Sequence, residues 1–84
     1  MITSLQDLAA EALFVSDLQP SQRPDIKDVQ RAITAAVLRY GSDGCAATVA
    51  GEFGDHPESA VRRMSWARTL VAAVADLPRP ALSR

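Results

Sequence analysis

An all-α fold follows from three features of this 84-residue sequence. Fifteen residues are Ala, the best helix former. Aromatic residues are only 5% of the chain, and no run rich in β-branched and aromatic residues suggests a strand. Apolar side chains recur at helical spacing along most of the chain. Together they predict a compact four-helix domain whose third and fourth helices pair like a helix-turn-helix.

The first helix is expected over 5–15. Ser4 precedes it as a cap, Asp7 lies in the first turn where the helix dipole favours an acid, and Leu5, Leu8, Ala9, Ala12 and Val15 form its stripe. Phe14 and Leu18 fall off that stripe, so either the helix ends near Val15 or it touches neighbours on two sides. Residues 17–24 read as a connector, because Pro20 and Pro24 each push the preceding residue out of the helical region. Pro24 suits the first position of the next helix.

The second helix is expected over 24–40. Ile26, Val29, Ile33, Ala36, Val37 and Tyr40 share one arc, with Lys27, Asp28, Arg31 and Arg39 opposite. Leu38 is the one large apolar residue on the wet side. Gly41 ends the helix in a left-handed cap. The third helix, 44–53, is capped by Ser42 or Asp43, presents Cys45, Ala46, Val49, Ala50 and Phe53, and stops at Gly54. The fourth, 56–76, starts with Asp55 as cap and Glu58 three residues on, a carboxylate version of the capping box. It ends before Pro78. The domain is thus expected at 1–77, with 78–84 as a flexible C-terminal tail.

The fourth helix carries two apolar stripes. Val61, Met64, Ala67, Val71 and Val74 form one; Trp66, Leu70, Ala73 and Leu77 form the other, about 100° away by helical geometry. Either this helix is central, or its second stripe faces a partner, most simply a second copy across a two-fold axis. The expected core is Leu5, Leu8, Ala12, Ile26, Val29, Ile33, Val37, Val49, Phe53, Val61, Met64 and Val71.

Composition narrows the function. A 9.0 kDa chain has room for one core. No apolar run approaches the roughly 20 residues of a membrane span, and the N-terminus, with Asp7 and Glu11 and no basic region, does not read as a secretory signal. A lone cysteine forms no internal disulfide framework and fits a cytoplasmic setting. Residues 1–59 hold nine acids against four bases, a net −5; residues 60–84 hold five bases against one acid, a net +4. Such asymmetry can mark an anionic partner, but the two parts are expected to neutralise one another.

Chemistry-bearing residues are few. His56 reads as a turn residue at a helix start, and a positive imidazolium is disfavoured there. Cys45 lies near a helix N-terminus, which stabilises a thiolate. A nucleophile also needs a base and an orienting group, and His56 is eleven residues away with no oxyanion motif. One His and one Cys do not make a structural zinc site. The four glycines match neither a phosphate loop nor a dinucleotide fingerprint. No enzyme, cofactor, metal or small-molecule substrate is expected.

The pair of helices around Gly54 offers a DNA-binding alternative. A helix starting Pro57-Glu58-Ser59 would place Ser59, Arg62 and Arg63 in the major groove. Asp55 and Glu58 would face phosphates, however, and Arg62, Arg63 and Arg68 point in three directions, at roughly 200°, 300° and 80° on the helical wheel from Ala60.

Two stretches, Leu13-Phe14-Val15-Ser16-Asp17-Leu18-Gln19-Pro20-Ser21 and residues 52–61 continuing to Met64-Ser65-Trp66-Ala67, resemble short uncharacterised all-helical proteins of actinobacteria such as Streptomyces. The resemblance implies a cytoplasmic, regulatory or accessory role, and carries no activity and no functional residues. The leading expectation is a non-enzymatic module that binds itself as a homodimer, or another protein, through Trp66, Leu70, Ala73, Leu77 and Phe14. A Trp in an exposed apolar patch is a common interface anchor.

Overall fold

The computed structural model describes residues 4–75. Three α-helices carry them: α1 (Ser4–Val15), α2 (Ile26–Asp55) and α3 (Pro57–Ala75), with a 3-10 turn at Pro20–Gln22 between α1 and α2. No strand occurs among the described residues, so the all-α class holds. The expected count of four helices does not. The segments expected at 24–40 and 44–53 are one element, α2, with no loop between them. Leu77 and the expected tail at 78–84 lie outside the described residues.

Gly41 explains the difference. It bends α2 instead of ending it, taking φ 72° and ψ 168° in a region essentially reserved for glycine. Helix resumes at the next residue. In a straight helix, Ala36 and Cys45 would be separated by about 13.5 Å of rise. Here the Cys45 thiol donates weakly to the Ala36 carbonyl at 3.9 Å, so the arm 42–55 turns back on the arm 26–40. The corner is tight: a Cβ on Gly44 would lie 3.2 Å from Tyr40 Cβ.

α2 begins later than the proline suggests. Asp25 Oδ1 accepts the Asp28 N–H at 2.8 Å, and Asp28 Oδ2 accepts the Asp25 N–H at 3.2 Å. This reciprocal capping box fixes Asp25 as the cap and leaves Pro24 in the connector. At the other end, Asp55 closes α2 and His56 alone separates it from α3. His56 donates its N–H to Glu52 O at 2.7 Å and accepts the Ala60 N–H at 2.9 Å. It therefore takes the capping place expected for Asp55. A helix-turn-helix turn spans about three to four residues; this link is one residue, and the expected helix-turn-helix pair is not formed.

The central helix is α1, which packs against both α2 and α3. Ala10, Ala12, Leu13 and Phe14 are buried over more than half its circumference, and Leu18 is buried just beyond its end. Both sequence alternatives are realised: the helix stops at Val15, and it is covered on two sides. On α3 the two expected stripes merge. Ala60, Met64, Ala67 and Val71 are buried, and Arg63, Trp66, Leu70 and Val74 are half-buried beside them. They span an arc of about 160° by the 100° step per residue.

This arrangement corrects the expected core. Ala12, Val29, Val49, Met64 and Val71 are buried; Leu8, Ile33 and Val37 are half-buried; Leu5, Ile26, Phe53 and Val61 are exposed. Small residues fill the remainder, because closely approaching helices leave room for little else. Ala32, Ala60 and Ala67 join the main core, while Ala12, Ala36 and Cys45 form a second small cluster at the α2 corner.

Candidate interaction surface

Arg63 is the most heavily engaged polar side chain on α3. α1 has no basic residue in its last turn to complement its C-terminal dipole. Arg63 supplies that cation from across the fold. Its Nε donates to Phe14 O at 2.6 Å, and its Nη2 donates to Ser16 O at 3.0 Å and Leu18 O at 2.9 Å, with a longer 3.5 Å contact to Leu13 O. The guanidinium also lies over the Trp66 ring, 4.9 Å from its centroid, and 5.8 Å from that of Phe14. Partial burial pushes its pKa below the usual arginine range, and the group stays charged. Ser16 completes the C-terminal cap: its hydroxyl donates to Leu13 O at 2.7 Å and accepts the Leu18 N–H at 3.3 Å.

This geometry relocates the residues expected at interfaces. Phe14 is only 4% exposed, with its ring 6.2 Å from that of Phe53 and nearly parallel to it. Trp66 and Leu70 are half-buried against the core, and Ala73 is exposed. Two members of the α3 stripe expected to face a partner, Trp66 and Leu70, are thus partly covered within the chain itself.

Of the residues expected at DNA, Ser59 and Arg62 are exposed, while Arg63 is bound to α1. The Ser59 hydroxyl donates to His56 O at 3.3 Å. Arg68 pairs with Asp7 at 3.3 Å, tying α3 to α1 on the surface. Cys45 is fully buried, and burial raises its thiol pKa, with a smaller contribution from the Glu11 charge. That shift opposes the thiolate a nucleophile needs. Among the described residues, no three His, Cys, Asp or Glu side chains gather around a common point. No described helix is long and apolar enough to cross a membrane.

The surface that sequence reasoning missed lies between α1 and the first arm of α2. Leu5, Leu8, Ile33, Val37 and Leu38, with Ala9 and Thr34, line an open groove of about 280 Å³. Leu5 is 76% exposed and Leu38 is 81% exposed at its edges. None of its lining residues is charged. Four other surface hollows each include a charged or titratable side chain: Arg68; Glu52 and Arg63; Asp17, Arg31 and Arg39; and His56, Glu58 and Arg62. Leu38 had signalled the groove as the lone large apolar residue on a wet face. Leu5 gave no such signal, because its spacing fits the α1 stripe.

Comparison with known protein families, with curated proteins and with solved structures finds no match.

Proposed function

We propose that the chain is a non-enzymatic, cytoplasmic interaction module that works by presenting the α1/α2 groove to a protein partner. The observation that carries this reading is the pair of leucines at its rim, both more than three-quarters exposed around an uncharged floor. Burying a leucine fully contributes about 1.5–3 kcal/mol, so covering Leu5 and Leu38 would contribute roughly 2–5 kcal/mol that the monomer leaves unrealised. Contiguous exposed apolar surface of this kind marks interaction sites. The buried, free Cys45 fits a reducing compartment.

The test is a photo-reactive amino acid at position 38, activated in living cells. Discrete covalent protein adducts are expected at position 38 and not at position 62, which is exposed on α3 away from the groove. No adduct at position 38 would sink the reading.

A further inference from the structure

We infer that Gly41 is a hinge at which α2 opens into one straight helix, and that the opened chain exchanges residues 42–75 with a second copy. The inference does not depend on what binds the groove.

The exchanged part moves as a unit. His56 alone links the second arm of α2 to α3, and its backbone bonds both Glu52 and Ala60. The unit is held to α1 by Arg63 on the Phe14, Ser16 and Leu18 carbonyls, by Arg68 on Asp7, and by the Phe14 and Phe53 rings. Opening α2 in a lone chain would break these contacts and uncover Val49, Ala60, Met64, Ala67 and Val71. A second opened copy offers the same partners, so the closed and exchanged forms differ at the hinge and in the cost of association.

The corner has the symmetry that exchange needs. Its arms, 26–40 and 42–55, are nearly equal in length. Ala36 lies five residues before Gly41, Cys45 lies four after it, and the two touch. Two straight α2 helices laid antiparallel across a two-fold axis near residue 41 bring Ala36 of one copy to Cys45 of the other. The turn is a single residue with helix on both sides, and short hinges favour exchange. Glycine takes φ 72° and ψ 168° without a Cβ penalty, which keeps the closed form accessible. Alanine would be strained there, yet is the better residue in a straight helix. Every groove residue precedes Gly41, so each copy in the exchanged dimer keeps its groove whole.

Gly41→Ala tests the hinge, refolded from urea at about 1 mM to favour exchange. Sedimentation should show a dimer, with association strengthened by roughly a thousandfold or more over wild type, because two chains escape strain in each dimer. Asp7→Cys with Arg68→Cys, joined by a short bis-maleimide, then reports which copy supplies α3; Cys45 is buried away from the reagent. Exchange gives covalent dimers on a denaturing gel. A folded Gly41→Ala monomer, or a dimer whose bridges all lie within one chain, overturns the inference. Should Gly41→Ala not fold, the same cysteine pair in the Gly41 chain refolded at about 1 mM decides. Covalent dimers that disappear when Ser-Gly-Gly is inserted after Gly41 support the hinge. Their absence, or their persistence with the longer turn, overturns it.

Discussion

Replacing Arg63 by Ala should expose how much of the fold hangs on one side chain. The guanidinium makes three close bonds, to Phe14, Ser16 and Leu18 carbonyls, and covers the Trp66 ring. A hydrogen bond to a charged group contributes about 1.5–3 kcal/mol net, and water can replace part of that at a half-buried site. A cation over an aromatic face adds about 0.5–1 kcal/mol. With the solvent discount, Arg63→Ala should cost about 2–4 kcal/mol. An 84-residue chain holds only about 4–13 kcal/mol in total. The melting temperature should accordingly fall by roughly 10–25 °C. Urea unfolding followed by circular dichroism measures the loss. Trp66 fluorescence gives a second probe, since this is the sole tryptophan and it sits under the group removed. Arg63→Lys keeps the charge but not the planar fork, and should lose about half as much. Arg62→Ala should stay within about 0.5 kcal/mol, as for an ordinary surface residue. An Arg63→Ala loss no larger than that would refute the role assigned to this arginine.

Three further outcomes follow from other parts of the fold. Gly41→Ala should destabilise by about 1–3 kcal/mol through backbone strain alone, because nothing lies within 4 Å of the added Cβ; Gly51→Ala, in helix with open space around it, should stabilise by about 0.4–1 kcal/mol, and thermal melts compare the two. The Asp28 carboxyl titrates below its ordinary 3.8, chiefly through the Asp25 backbone bond and then through the Arg31 guanidinium. Its contribution is therefore complete above the unfolded value and lost as pH falls through the lower folded one, so Asp28→Asn should flatten the acid limb of the stability profile below about pH 4. Cys45 should react with a thiol reagent far more slowly in the native chain than in denaturant, since it is buried with a raised pKa; equal rates would show that the α2 corner is open.

Helix class and most helix limits were legible because they depend on local composition and spacing. The merger of two helices into α2 was not. Gly41 stops a helix when it takes the usual left-handed cap, and turns a corner when it takes an extended ψ; the sequence is the same in both cases. The central place of α1 was half visible, since Phe14 and Leu18 off the stripe left a second neighbour as one of two alternatives. Leu5 and Val61 were misplaced because a helical wheel shows which residues share a face but not where along the helix a neighbour stops. The DNA-binding alternative places Arg63 in the major groove because the sequence shows its charge but not its acceptors. The one available hint was negative: α1 ends without a basic residue, so its carbonyls needed a cation from elsewhere.

The groove between α1 and α2 is tested most directly by photo-cross-linking in living cells from positions 5 and 38, with exposed position 62 on α3 as the control. Discrete protein adducts from positions 5 and 38, and none from position 62, are the expected result. Adducts from position 62 with both groove positions silent would contradict the assignment.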